Sequence, residues 1–155
     1  MTIFLVRHGQ AGNRSSWDGD DRDRPLSDRG EAQAEALAEL LAGRPIRRVV
    51  SSPFTRCQQT VMPLAKRLGL DVEADERLAE GESFVPALAL IEQLPDDSVL
   101  CSHGDLVPEL IDALVRRGLE VVGTPDGRKG ARWEIERTTP HWRAHAEPPP
   151  DRAPL

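Results

Sequence analysis

Two arginines and two histidines stand near the ends of predicted strands, and these side-chain types suit chemistry on a phosphate group. Arg7 and His8 directly follow one apolar run, Arg56 comes shortly after a second, and His103 follows a third. Ligands of open α/β sheets bind beyond the carboxyl ends of the strands. We therefore expect these four side chains to meet at one edge of a sheet.

The chemistry expected of this group is phosphate binding combined with nucleophilic attack. An arginine guanidinium offers a planar fork of donors that matches two phosphate oxygens. A histidine attacks phosphorus through one ring nitrogen when the other nitrogen is hydrogen-bonded, and His8 and His103 are both candidates. Gly9 and Gly104 follow the two histidines and lack the side chain that would crowd a bound phosphate.

The strands and helices that must position these residues alternate along the chain. Ser52 and Pro53 are interpreted as the N-cap and first residue of the helix that carries Arg56. Apolar patterning predicts strands at 3–6, 47–51, 71–74, 98–102 and 132–137, and helices at 28–42, 53–68, 84–94 and 106–117. This order predicts an α/β fold, a three-layer α/β/α sandwich whose mostly parallel sheet has one antiparallel edge strand.

Length and composition predict one domain and restrict its partners. The 155 residues carry a net charge of -6, which argues against a broad surface for nucleic acid or anionic membranes. No apolar stretch approaches the roughly 18 residues of a membrane span, and we expect a cytoplasmic protein. Residues 1–138 are predicted to form the domain, and the proline-rich residues 139–155 a flexible tail.

Other groups with chemical potential are interpreted as structural. The loop 10–25 is expected to border the site, and its four aspartates alternate with arginines in a pattern typical of a solvated loop rather than a metal site. Cys57 and Cys101 are expected to be buried, free packing thiols, and Lys129 a surface lysine. The sequence predicts neither a metal nor another cofactor. The aspartates are Asp18, Asp20, Asp21 and Asp23.

Several separated motifs, taken together, resemble the histidine phosphatase superfamily, which includes the phosphoglycerate mutases. The resemblance covers about the first 115 residues, and its motifs occur in the order and at roughly the spacing of that family. They are Leu5-Val6-Arg7-His8-Gly9, Arg24-Pro25-Leu26-Ser27 with Gly30, Ser51-Ser52-Pro53-Phe54-Thr55-Arg56 with Gln59-Thr60, and Ser102-His103-Gly104. The short chain looks most similar to the small SixA-like phosphohistidine phosphatase branch.

The resemblance assigns roles that the residues alone left open. It implies that His8 is the nucleophile and that a carboxylic acid protonates the leaving oxygen. The motif Leu78-Ala79-Glu80 makes Glu80 the first candidate for this acid, with Glu82 second. The phosphate-binding set that it implies is Arg7, Arg56 and His103, to which we add Gly9 and Asn13.

The activity implied by this resemblance is a metal-independent phosphatase that acts through a phosphohistidine intermediate. Its substrate is expected to be a phosphorylated small molecule or a protein phosphohistidine. Gln10 and the spacing of Asn13 differ from the mutase-type members, which favours hydrolysis over mutase-type transfer. Phosphoglycerate mutase activity and a non-catalytic module that binds phospho-ligands are the alternatives, and the oligomeric state is left open.

Overall fold

A single mixed sheet forms the centre of the protein. The structure, a computed structural model, describes residues 1–150. Within that range the strands are β1 (Thr2–Arg7), β2 (Arg48–Ser51), β3 (Val72–Ala74), β4 (Ser98–Ser102), β5 (Glu120–Val121), β6 (Arg132–Glu136) and β7 (Arg143–Glu147). The α-helices in the same range are α1 (Asp28–Leu41), α2 (Thr55–Leu68), α3 (Phe84–Gln93) and α4 (Leu106–Arg116).

The sheet has the strand order β3-β2-β4-β1-β6-β7-β5 and is mostly parallel. Only β6, among the described strands, runs antiparallel to its neighbours, β1 and β7. The predicted three-layer α/β/α sandwich is confirmed. The last predicted strand is not at the edge, however, because β7 pairs with β6 over its whole length and β5 adds beyond β7.

Alternate side chains of β1 enter two separate cores, as the two-residue period of a strand requires. Ile3 and Leu5 pack with α3 and α4 on one face of the sheet. Phe4 and Val6 pack with α1 and α2 on the other face. Because both faces of β1 are covered, its end is held rigidly, and the residues that follow it start from a fixed position.

The segment after residue 138 differs from the expected tail. Residues 143–147 form strand β7, in which buried Ala144 alternates with more exposed neighbours. The small alanines allow this strand to pack on the sheet although the flanking sequence is rich in proline. The domain boundary near residue 138 stays a prediction, and residues 151–155 of the predicted tail lie outside the described residues.

Helix α2 begins later than predicted. Its first residue is Thr55 and its N-cap is Phe54, so Ser52 and Pro53 precede the helix. The Ser52 hydroxyl accepts a hydrogen bond from the Phe54 N–H at 3.2 Å and also contacts His103. This bend between β2 and α2 still leaves Arg56 in the first turn of the helix. No helix within residues 1–150 is both long and apolar enough to cross a membrane.

Candidate active site

The four residues predicted to share a site meet at the carboxyl edge of the sheet. Strands β2, β4 and β1 are neighbours there, and each leads into one of the predicted motifs. The rings of His8 and His103 lie edge to face, with their centroids 5.4 Å apart. Both histidines and Arg56 are buried, and Arg7 is partly buried. The sheet therefore brings together the residues that the motif spacing selected.

The His8 ring is held in one tautomer. Its Nδ1 lies 2.7 Å from the carbonyl oxygen of Gly9. Because a carbonyl only accepts hydrogen bonds, Nδ1 carries the hydrogen and the neutral ring keeps the lone pair on Nε2. Burial, together with the positive charges of Arg56 and Arg7 and the neighbouring His103, lowers the pKa of His8 to about 3 despite the bond to Gly9. At neutral pH the ring is therefore uncharged, with the Nε2 lone pair free for the predicted role of nucleophile.

Arg56 lies beneath the site and is fully buried. Its Nη1 donates to the carbonyl oxygen of Asp21 at 2.8 Å, and its Nη2 donates to the Asp21 carboxylate at 3.1 Å. Glu80 lies 3.5 Å from the same Nη2. The Nε atom is buried and has no hydrogen-bond partner among the described residues. A buried guanidinium with an unused donor has the chemistry to receive an oxyanion.

Arg7 presents a second unused donor beside the first. Its Nη1 donates to the carbonyl oxygen of Gly127 at 2.7 Å, whereas its buried Nε has no partner among the described residues. The guanidinium lies directly against Gly104, where a Cβ atom would come within 2.5 Å of its Cζ. Glycine at this position therefore makes room for Arg7, not only for a ligand.

His103 is fixed by contacts on several sides. Its Nε2 lies 2.9 Å from the Ser52 hydroxyl, and the Phe54 ring packs against it edge to face. The Cys57 thiol is 3.5 Å from the same nitrogen. Cys57 and Cys101 are buried and free, as expected from the sequence, but Cys57 also forms part of the wall around the catalytic candidate His103.

Glu80 reaches the site and Glu82 does not. The Glu80 carboxylate accepts a hydrogen bond from Arg14 at 3.0 Å and lies 3.9 Å from Nδ1 of His103. The backbone next to Glu80 is fixed by Asp105, whose carboxylate accepts a hydrogen bond from the Gly81 N–H at 2.8 Å. Glu82 is exposed. The position of Glu80 suits a general acid, although its role there stays a prediction.

Gly9 and Asn13 are engaged with the protein itself. The Gly9 N–H donates to Thr60 Oγ1 at 3.0 Å, and a Cβ atom at Gly9 would meet α1 at 3.0 to 3.2 Å. The side-chain oxygen of Asn13 caps a short 3₁₀ turn at Ser15. Close packing on α1 thus explains the glycine at position 9. Asn13 lines the pocket, but its side-chain oxygen already accepts a hydrogen bond from the Ser15 N–H. Their phosphate-binding roles stay predictions.

Three residues of the loop 10–25 border the site although the sequence did not predict them there, namely Asp21, Arg24 and Arg14. Asp21 forms ion pairs with Arg56, Arg24 and Arg14 at 3.1, 2.9 and 3.6 Å. It was interpreted as one of several solvated aspartates, and no local pattern sets it apart from its neighbours. For Arg24 a signal was available, because it is the first residue of the motif Arg24-Pro25-Leu26-Ser27, which belongs to the family resemblance.

The site opens into a cavity of about 460 Å³. Basic residues beyond the predicted set contribute to its wall, namely Arg14, Arg24 and Lys129. Burial and the positive charges of four arginines lower the pKa of Lys129; these are Arg7, Arg24, Arg14 and Arg56. Two carboxylates, Glu80 and Asp105, also line the cavity, so its basic side chains outnumber its acidic ones. In a protein with a net charge of -6, such a local excess of positive charge favours an anion.

Comparisons with known proteins agree with this geometry. Residues 3–83 match the family model of the histidine phosphatase superfamily, branch 1. The chain is 36% identical over 140 residues to an 8-oxo-(d)GTP phosphatase of Mycolicibacterium smegmatis, covering 86% of this chain and 44% of that protein. It is 32% identical over 133 residues to the probable phosphoglycerate mutase GpmB of Cronobacter sakazakii, covering 83% and 53%. The chain thus spans about half the length of these curated relatives.

A solved structure has the same fold over most of its length. The protein histidine phosphatase SixA, complexed with tungstate, superposes with a TM-score of 0.70 and 26% sequence identity, and the match covers 87% of each chain.

Proposed function

Because the chain belongs to branch 1 of the histidine phosphatase superfamily, we propose that it is a phosphatase that transfers a phosphoryl group to His8 and then to water. One observation supports this proposal above the others. The Gly9 carbonyl holds the hydrogen of His8 on Nδ1, so that the lone pair is on Nε2, while the buried Nε atoms of Arg7 and Arg56 have no partner among residues 1–150. A nucleophile and two unused donors are what a phosphoryl group requires.

In the first step Nε2 of His8 attacks phosphorus, and the bond from phosphorus to the leaving oxygen breaks. Arg7, Arg56 and His103 stabilise the charge on the equatorial phosphoryl oxygens, because these groups are in place before the reaction begins. Glu80 donates a proton to the leaving oxygen.

In the second step a water molecule attacks the phosphohistidine. Glu80, now a carboxylate, accepts the proton of the water, and the bond from Nε2 to phosphorus breaks. The hydrogen bond from Nδ1 to the Gly9 carbonyl persists and keeps the neutral ring as the leaving group. Inorganic phosphate is the product, and the free enzyme is regenerated with Glu80 protonated again.

The proposed substrates are phosphorylated small molecules or phosphohistidine in proteins. Relatives carry names of both kinds, since one is called an 8-oxo-(d)GTP phosphatase and another a protein histidine phosphatase. We also propose that the reaction needs no metal ion, since Arg7, Arg56 and His103 offer the positive charge that the phosphoryl group needs. A cytoplasmic location is part of the same proposal.

Turnover of a chromogenic phosphate ester and of a phosphohistidine peptide, both in the presence of EDTA, tests this proposal. We expect release of inorganic phosphate by the unaltered protein and its loss in His8→Asn. His141→Gln, which changes an exposed histidine, is the matched control. Binding of inorganic phosphate without any turnover would contradict the proposal and favour a binding module. Isomerisation of phosphoglycerate without phosphate release would favour the mutase alternative.

A further inference from the structure

The cavity extends beyond the groups needed for one phosphoryl group. Its volume of about 460 Å³ lies within the range of about 300–1,000 Å³ found for small-molecule sites. Arg7 and Arg56 hold the two unused donors next to His8. Arg24 and Lys129 add two more cations to the surroundings of the same cavity.

Lys129 is held next to the nucleophile by its backbone. The N–H of the following residue, Gly130, donates to the carbonyl oxygens of His8 at 2.9 Å and Arg7 at 3.2 Å. Gly130 has a φ of +88°, and a Cβ atom there would meet the Gln33 side chain at 3.2 Å, so this turn favours glycine. Lys129 is exposed to solvent, as predicted for a surface lysine, and it lines the cavity without an ion-pair or hydrogen-bond partner among residues 1–150.

Arg24 is held on the loop side of the cavity. It is 94% buried, and its Nε donates to the Asp21 carboxylate at 2.9 Å while its Nη1 donates to the carbonyl oxygen of Gly12. Asp21 cannot neutralise this arginine fully, because the same carboxylate also pairs with Arg56 and Arg14. Positive charge therefore remains at this wall, as it does at Lys129.

We propose that Lys129 and Arg24 form a second anion subsite beside the reacting phosphate, and that the preferred substrates are organic diphosphates such as nucleoside diphosphates. This inference rests on the proposed phosphatase function. The terminal phosphoryl group binds at Arg7 and Arg56, and the inner phosphate, one bridging oxygen away, binds at Lys129 and Arg24. A cation at the inner phosphate also stabilises the leaving group.

The step balances without a further reactant. Nε2 of His8 forms a bond to the terminal phosphorus, and the bond from that phosphorus to the bridging oxygen breaks. The bridging oxygen keeps the electron pair, so negative charge develops on the inner phosphate. Lys129 stabilises this charge, and water then releases the phosphoryl group from His8 as inorganic phosphate.

Binding measured by calorimetry tests the subsite independently of turnover. The probes are inorganic phosphate and imidodiphosphate, whose P–N–P bridge resists hydrolysis. We expect imidodiphosphate to bind about tenfold more tightly than phosphate, the gain from one charge-assisted contact. Lys129→Ala should remove most of this preference, and Lys129→Arg should restore it. Lys66, the other lysine in the chain, lies exposed on α2, and Lys66→Ala controls for general electrostatic attraction.

Two results would overturn the subsite: equal affinity of the unaltered protein for the two probes, or a preference that survives both Lys129→Ala and Lys129→Glu. A parallel measurement of phosphate-ester hydrolysis distinguishes failure of the subsite proposal from failure of the phosphatase proposal. Ester turnover without a preference for imidodiphosphate overturns the subsite alone. A Lys129-dependent preference without any turnover supports the subsite and contradicts the phosphatase proposal.

Discussion

Gly104 offers a precise way to displace one arginine without removing it. A Cβ atom at this position would lie 2.5, 2.6 and 2.7 Å from Cζ, Nη2 and Nε of Arg7. Gly104 does not have a positive φ, so alanine is compatible with its backbone. The steric effect of Gly104→Ala therefore falls on the guanidinium of Arg7, whose unused Nε is assigned to the reacting phosphate.

The size of the effect follows from the displacement. Ordinary contact between carbon atoms begins near 3.5 Å, so the Arg7 guanidinium must move by about 1 Å. A misplacement of about 1 Å in a catalytic site can reduce the rate about 100-fold. Loss of one preorganised donor to an oxyanion has a similar cost, about 2.7–4 kcal/mol. We expect kcat/KM of Gly104→Ala to fall about 100-fold, with a change of only about 1 kcal/mol in the free energy of unfolding.

A double-mutant cycle with Arg7→Ala identifies the cause. If Gly104→Ala acts through Arg7, it should cost little more once Arg7 has been replaced. Gly43→Ala is the matched control, because a Cβ atom there would have no neighbour within 4 Å. Steady-state kinetics with an aryl phosphate and urea denaturation provide the readouts. Near-normal kcat/KM in folded Gly104→Ala, or fully additive effects with Arg7→Ala, would contradict the proposal that Gly104→Ala acts by displacing Arg7 from the reacting phosphate.

Three other predictions test neighbouring groups. The His8 pKa near 3 means that the unfolded chain binds a proton below pH 6.5 that the folded chain does not, so stability falls as pH falls from 6.5 to 3. Urea denaturation should give a loss of about 2–3 kcal/mol between pH 6.5 and 4.5 that is absent in His8→Asn. Glu80→Gln should slow aryl phosphates with poor leaving groups more than those with good ones, and equal slowing would remove Glu80 as the acid. Ser52→Ala leaves buried His103 without its hydroxyl partner and should lower the free energy of unfolding by about 1–3 kcal/mol in urea denaturation, and unchanged stability would contradict this role.

The parts of the site that were predicted from sequence depend on local patterns. A buried strand followed at once by Arg7 and His8 places both at the sheet edge, and the same holds for His103 after β4. Parallel pairing of neighbouring strands then brings these ends together with no further information. For the same reason the order of strands and helices predicted the layers correctly.

The parts that were not predicted depend on long-range pairing. Asp21 contacts Arg56 across 35 positions in the chain, and nothing in the sequence around Asp21 distinguishes it from the nearby Asp20 and Asp23. Ser52 was interpreted as a helix cap because its local signals fit one, but its hydroxyl contacts the ring of His103 and the Phe54 N–H, ahead of the first helical residue. Strand β7 was missed because residues 143–147 lack the apolar run that predicts a strand. The strand forms through pairing with β6 and β5.

Trapping of the covalent intermediate tests whether His8 accepts the phosphoryl group. The protein is mixed with a phosphate ester labelled in its phosphoryl group, quenched in base after a few milliseconds, and digested for peptide mapping. We expect a label that is stable in base, labile in acid and located on His8. A label on another residue, or turnover that proceeds with no labelled protein at any quench time, would contradict the proposal that His8 is the nucleophile.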